Sequence, residues 1–228
     1  MLVRSWNLFH GNTLPPGRRA YLREMVELVT ADRPDVVCLQ EVPAWALGRL
    51  GTWSGMTEVP ALARRPSFGR LPIPRVVGRA LTAPYHGVIR SAFAGQGNSV
   101  LLARPLLVRA SATLPFAAPE PRVAQRVDLD RLVLANVHCS SGERGEAEIE
   151  ATLRWLDGPQ TLVVAGDFNT TPERAPELAA FAGAILGSID QVLVRGAAAT
   201  ARRWPDDDRR FGRRLLSDHA PVEATIEL

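Results

Sequence analysis

A carboxylate and an amide, Asp167 and Asn169, stand two residues apart directly after the apolar run Leu162 to Ala165 and a glycine, Gly166. In an extended segment that spacing points both side chains to the same side. A carboxylate and an amide presented together at the mouth of a buried strand suit a metal-bound water and a phosphate oxygen. Asp and Asn are also turn residues, so the stretch taken alone reads equally as a turn. The same arrangement recurs along the chain. Apolar runs lead into Asn7, Glu41 and His138, Asp190 stands at the start of a strand, and Asp218 and His219 precede the last one. Each has an ordinary structural explanation, but none of those explains the repetition at nearly every strand.

The elements that must position these groups alternate between strands and helices. Residues 2–8 read as a strand. Leu22, Met25, Val26 and Val29 recur at helical spacing, and residues 35–41 form a second buried strand ending in Gln40 and Glu41. A short helix is expected over 43–50. From about 51 to 97 periodicity weakens, and Arg64, Arg65, Arg70, Arg75, Arg79 and Arg90 are scattered among Pro and Gly. This reads as an irregular insertion over one surface. Strands follow at 98–104, 106–113, 123–129 and 131–137, with a tight turn at Asp130. A helix at 143–157, the strand before Asp167, a helix at 172–182 and a strand at 188–194 come next. An arginine-rich loop at about 195–216 and a strand at 220–228 complete the chain. The class is a mixed α/β (α+β) domain, a single unit over 1–228, with two sheets face to face.

The 228 residues carry a net charge of +3, too modest to argue for a polyanionic partner by itself. All 27 basic residues are arginine, whose planar fork grips phosphate oxygens in pairs. Cys38 and Cys139 lie in apolar, strand-like settings and read as reduced buried thiols. With no signal-peptide pattern and no apolar run of membrane-spanning length, a cytoplasmic monomer is expected. No His–Cys cluster has the spacing of a structural zinc site.

Trp6-Asn7, Gln40-Glu41, Gly97-Asn98-Ser99, Asn136-Val137-His138, Gly166-Asp167-Phe168-Asn169, Ile189-Asp190 and Ser217-Asp218-His219-Ala220-Pro221-Val222 occur in this order. Together they resemble the endonuclease/exonuclease/phosphatase superfamily, which includes deoxyribonuclease I, abasic-site endonucleases, neutral sphingomyelinases and inositol polyphosphate phosphatases. The resemblance implies a four-layer α/β/β/α sandwich of two mixed sheets between helices. It also implies a phosphodiesterase using Mg²⁺, or Mn²⁺ in its place, with Glu41 as first ligand and Asn7 and Asp218 close by. In that pattern Asp167 orients or deprotonates the attacking water and Asn169 holds a phosphoryl oxygen. His219 stands at the scissile phosphate paired with Asp190, and His138 contacts the phosphate from the other side. Which imidazole is acid and which is base stays open. No counterpart is evident for the carboxylate that partners the first histidine in deoxyribonuclease I.

Asn98, Arg122, Arg126, Arg209, Arg210 and Arg213 are candidate phosphate contacts. Arginines interleaved with Trp204 and Phe211 suit a nucleic-acid track by phosphate contact and base stacking, making a nuclease the leading expectation. The same residues suit a phospholipid surface or a phosphorylated small molecule. A binding module without turnover is the reading from another class.

Overall fold

The computed structural model describes residues 1–89, 93–116, 120–158 and 160–228. Among these, a six-stranded and a five-stranded sheet form the body of the molecule. The first contains β1 (Leu2–Asn7), β2 (Val36–Pro43), β3 (Thr57–Arg64) and β4 (Gln96–Leu102). The second contains β5 (Ala110–Phe116), β6 (Arg122–Asp128), β7 (Leu132–His138), β8 (Thr161–Asp167) and β9 (Asp190–Arg195). The last two strands, β10 (Ala198–Arg203) and β11 (Val222–Glu227), return to the first sheet. The orders are β10-β11-β1-β2-β4-β3 and β9-β8-β7-β6-β5. The helices are α1 (Leu22–Thr30), α2 (Leu50–Ser54), α3 (Arg75–Thr82), α4 (His86–Ile89), α5 (Glu143–Trp155) and α6 (Pro176–Ala179).

Each sheet has one parallel pair, β1 with β2 and β7 with β8, flanked by antiparallel neighbours. Parallel neighbours need a crossover, supplied by α1 in one sheet and α5 in the other. The carboxyl ends of these four strands meet at one end of the molecule, where Asn7 of β1 touches Asp167 of β8.

Strand alternation sorts the side chains into three apolar layers. Val3, Val36, Cys38, Leu134, Val163, Val192 and Val222 face inward and fill the space between the sheets. Trp6, Val37, Leu39 and Leu101 face outward against Leu22, Met25, Val26 and Val29 of α1, the stripe read from the sequence. On the opposite side Val133, Ala135, Val164 and Leu193 pack against Ile149 of α5 and Leu178 of α6. The four-layer α/β/β/α sandwich is therefore present. Cys38 and Cys139 are free and buried.

Near the strand ends the filling between the sheets turns polar. Asn136 of β7 donates from Nδ2 to the Leu39 and Ser99 carbonyls of the first sheet, both at 3.1 Å. Gln40 Nε2 donates to Asn136 Oδ1 at 2.8 Å. Asn98 Nδ2 donates to the Val123 and Asn136 carbonyls at 3.0 and 3.2 Å.

Several expected boundaries move. Thr57–Arg64, read as irregular, is the edge strand β3, paired along β4 from Thr57 opposite Leu102 to Arg64 opposite Gln96. An edge position tolerates Pro60 and leaves much of the strand exposed, so the apolar signal is weak. The rest of that insertion supplies α3 and α4, and the backbone N–H groups of His86 and Gly87 bond the Arg18 and Gly17 carbonyls. Arg90 lies outside the described residues. The arginine-rich segment is ordered as β10 and a small sheet of Thr13–Leu14, Arg210–Phe211 and Arg214–Leu216. The helix expected over 172–182 shrinks to α6. The one expected over 43–50 gives way to turns, with Gly48 at φ 87°, before α2. Among the described residues no helix is long and apolar enough to cross a membrane.

Candidate active site

The alternation that fills the core continues to the strand ends. Asn7, His138, Asp167 and Asp190 extend the inward series of Val3, Leu134, Val163 and Val192, so they point between the sheets where the apolar filling stops. Sheet register places His138 beside Asp167 and Asp167 beside Asp190, a row across three strands. Gly166 makes this possible. A Cβ there would stand 2.0 Å from the Val137 carbonyl oxygen, so only glycine lets β8 lie this close to β7. Asn7 reaches across from the other sheet, donating from Nδ2 to Asp167 Oδ2 at 2.9 Å while its Oδ1 accepts the Phe9 N–H.

Glu41 breaks the alternation. Counting from Cys38 and Gln40, it belongs on the outer, helix-covered face. The register between β2 and β4 steps from Leu39 opposite Ser99 to Val42 opposite Gly97, so one extra residue bulges out. Glu41 adopts φ 50° there, and its carboxylate ends up beside His10 and His138. Six non-glycine residues have positive φ among the described residues, and Phe9, His10, Glu41, Asn169 and Ser217 belong to the loops of this site. Left-handed backbone costs of order 1 kcal/mol per residue, a cost that gathers where geometry serves function.

Asp167 is held by three N–H donors, with acceptor capacity left on Oδ1. Its Oδ1 accepts the Asn169 N–H at 2.9 Å, and its Oδ2 accepts the side-chain amides of Asn7 and Asn169. Burial, then the charge of Asp190, lifts its pKa to about 6 despite those bonds. His219 sits on a loop pinned from three sides. The Trp6 indole and Arg209 guanidinium donate to its carbonyl, and Ser217 Oγ accepts its N–H. Its Nδ1 lies 2.9 Å from Asp190 Oδ2. Burial opposes charging this ring, but the hydrogen bond and charge of Asp190, with Asp167 and Asp218 behind it, outweigh burial and raise the pKa to about 9. His138 behaves oppositely: burial, then Arg122 and His219, push it well below the usual range and keep it neutral. Its Nε2 is buried with no hydrogen-bond partner among the described residues, 3.6 Å from Asp167 Oδ2 and 3.8 Å from Glu41 Oε1.

These groups can hold a cation. Burial, followed by the charges of Asp167 and Asp218, raises Glu41 to about 7, the signature of a carboxylate short of positive partners. Asp167, Asp190 and His219 also bring ligand atoms within 4.8 Å of one another. There, however, Nδ1 of His219 is committed to Asp190 and the oxygens of Asp167 to three N–H donors, so Glu41 is the freer ligand. Asp218 is exposed at the rim of the site, close enough for its charge to act on both Glu41 and His219.

The candidate phosphate contacts divide. Arg122 lies at the site, donating to the Cys139 carbonyl that also accepts Asn169 Nδ2. Asn98 is committed to the carbonyls between the sheets. Arg126 shares the outward parity of Ala124 and pairs with Asp128, so it faces away. Arg209 is 3% exposed; its Nη1 donates to the carbonyls of Leu216, Ser217 and His219, and its Nε and Nη2 bond Asp206. The buried guanidinium is thus committed to the loop around His219 and not presented to a phosphate. Arg210 pairs with Asp207 at the surface, and Arg213 is exposed. His10, not among the residues singled out from the sequence, stands with Nε2 3.3 Å from Glu41 Oε2. The available signal was its position: three residues past Asn7, in a chain with four histidines.

Residues 5–219 match the family model described as Endonuclease/Exonuclease/phosphatase family. No curated protein matches the sequence. Among solved structures, an endonuclease/exonuclease/phosphatase from Beutenbergia cavernae is 17% identical with a TM-score of 0.74, covering 100% of this chain and 71% of that one. Truncated TDP2 from Caenorhabditis elegans is 16% identical (TM-score 0.66; 100% and 97% covered). A mannosyl-6-phosphatase from Bacteroides thetaiotaomicron is 13% identical (TM-score 0.65; 100% of both chains covered). At such identities the likeness is one of fold.

Proposed function

Because the chain belongs to the endonuclease/exonuclease/phosphatase family, a family of phosphate-ester hydrolases, we propose that it is a divalent-cation-dependent phosphodiesterase. Its reaction centre is then Glu41, His138, Asp167 and the His219–Asp190 pair. The observation that carries this reading is the convergence of those groups, from both sheets, at the strand ends where the filling between the sheets turns polar. Glu41, with Asn7 and Asp218 nearby, would hold the cation, which when bound neutralises charge on a phosphoryl oxygen. Asp167, fixed by Asn7 and Asn169, accepts the proton of the attacking water. His219, charged at neutral pH and oriented by Asp190, presents Nε2–H to the phosphate and can pass that proton to the leaving oxygen. Neutral His138 and the Asn169 amide steady the remaining oxygens as charge builds on them.

For the substrate, a compact anionic ester fits better than a long strand. The loss of Arg126 and Arg209 leaves Arg122 at the site, and only Arg210, paired with Asp207, and Arg213 beside Phe211, for a nucleic-acid track. A cavity of about 330 Å³ is instead lined by Arg18, Arg19, Trp45, Arg79 and His86, with no carboxylate among its described lining residues. It adjoins the centre, since His86 Nε2 contacts the His10 carbonyl at 2.7 Å and the His10 ring faces Glu41. The nuclease remains the second reading, favoured by exposed Phe211 and Arg213 in the segment that leads to Asp218 and His219.

The test is hydrolysis with and without Mg²⁺ or Mn²⁺, wild type beside His219→Ala. The panel holds an aryl phosphodiester, phosphorylated sugars and nucleotides, plasmid DNA, RNA and sphingomyelin vesicles. Turnover on small esters, abolished by chelator and by the substitution, is the expected result. Cleavage confined to polymers would replace the substrate and keep the centre, whereas activity indifferent to both chelator and His219 would remove the centre itself.

A further inference from the structure

We propose that His10 is a ligand of the cation held by Glu41, so that the centre offers a mixed nitrogen and oxygen donor set and prefers Mn²⁺ to Mg²⁺. This rests on the hydrolase reading above and adds a residue and a metal preference to it.

The backbone is built to deliver this ring. Phe9 and His10 both take left-handed conformations (φ 48° and 55°), unfavourable for the bulky Phe9 and better tolerated by His10. The strained turn is held from outside. The Gly11 N–H bonds the Leu8 carbonyl, the Tyr21 N–H bonds the Gly11 carbonyl, and His86 Nε2 contacts the carbonyl of His10 itself. The result is an imidazole 4% exposed, with Nε2 3.3 Å from Glu41 Oε2.

That separation is long for a charge-assisted hydrogen bond, whose ordinary length is about 2.7–2.9 Å. It is right for two donors of one ion: ligands about 2.1 Å from a common centre stand roughly 3.0 Å apart in an octahedral shell and 3.4 Å in a tetrahedral one. The other oxygen of Glu41 faces the unpartnered, buried Nε2 of His138. The carboxylate thus lies between two imidazole nitrogens, one toward each oxygen, with neither close enough to be neutralised by a short bond. Mg²⁺ favours oxygen ligands and retains water, while nitrogen donors raise affinity for later first-row ions. One imidazole added to a carboxylate shell therefore biases the site toward Mn²⁺.

The experiment is metal titration of the full chain without substrate, by calorimetry, together with electron spin-echo modulation of bound Mn²⁺, which detects directly coordinated ¹⁴N. The variants are His10→Asn, which tolerates the left-handed backbone, His10→Gln, His138→Gln and Glu41→Gln, each checked for fold by circular dichroism. Wild type should bind Mn²⁺ at least tenfold more tightly than Mg²⁺ and show ¹⁴N modulation. Both His10 variants should lose about tenfold in Mn²⁺ affinity, less than threefold in Mg²⁺ affinity, and the modulation. Retained modulation with unchanged Mn²⁺ affinity in the His10 variants overturns the proposal, as does modulation that vanishes only with His138→Gln. Glu41→Gln separates the two levels of argument: metal binding that survives it unchanged removes the cation site itself, not merely its nitrogen ligand.

Discussion

Replacing Asp190 by Asn should uncouple His219 from its source of positive charge. The carboxylate lies 2.9 and 3.1 Å from Nδ1 and is the largest favourable influence on a ring raised from 6.5 to about 9 against the cost of burial. At about 1.4 kcal/mol per pH unit, that elevation is about 3 kcal/mol of preference for the imidazolium. Asp167 and Asp218 remain in the variant, so part of it survives, and the midpoint should fall by at least one pH unit, about 1.4 kcal/mol. The assay is NMR titration of the imidazole resonances, tractable with four histidines in the chain. The effect on stability has a definite sign. A raised histidine pKa stabilises the fold fully below the unfolded value near 6.5, and the contribution disappears as pH rises through about 9. The difference in unfolding free energy between wild type and variant should therefore be largest near pH 6 and shrink toward pH 9. Turnover should drop by roughly 10²–10⁴. A His219 midpoint that stays near 9 in the variant would refute the reasoning.

Other perturbations test other parts of the structure. Gly166→Ala should destabilise by about 3 kcal/mol or more, because its Cβ meets the Val137 carbonyl oxygen at 2.0 Å; a denaturant midpoint unchanged from wild type would contradict that contact. Glu223→Gln leaves the 2%-exposed Arg4 guanidinium with one carboxylate instead of two, which should cost about 3 kcal/mol. Burial works against the charged Glu223 carboxyl, but hydrogen bonds from Trp204 and Arg4 hold its pKa low, so this stabilisation is present at neutral pH and lost as pH falls through the lowered value. Acid unfolding followed by circular dichroism should accordingly separate wild type from variant at neutral pH and bring them together in acid. Arg209→Met should lower stability by about 2–4 kcal/mol and kcat along with it, since three carbonyls lose their donor and the His219 loop its anchor. Glu41→Gln should weaken divalent-ion binding at least tenfold with little change in fold, measured by calorimetry.

What could be read from the sequence was whatever a two-residue period carries. Asn7, His138, Asp167 and Asp190 each continue a strand's inward series, so apolar runs ending in a polar group pointed to the candidate site. Glu41 was found by its place after a buried run, although the parity of that run points it to the wrong face; the bulge that corrects it depends on pairing with Ser99 and Gly97, which lies outside local pattern. Arg209 shows the opposite failure. In a segment with six other arginines its composition matched a phosphate track, and only the tertiary fold turns it toward three carbonyl oxygens. His10 was invisible for a related reason, since its place beside Glu41 arises from two left-handed residues in succession. Strand β3 escaped because an edge strand is half exposed and can carry a proline.

The amide-rich patch between the sheets has a mechanical consequence. Apolar packing is non-directional, so two sheets joined only by Val, Leu and Ile could slide over one another at little cost. The fork of Asn136 onto Leu39 and Ser99, and of Asn98 onto Val123 and Asn136, is directional and spans the interface at one end. The sheets are thus pinned against sliding where Glu41 and Asp167 stand, and at the far end by the two-residue link from Arg195 of β9 to Ala198 of β10. A shear that would part candidate groups borne on different sheets must break the amide fork or stretch that link.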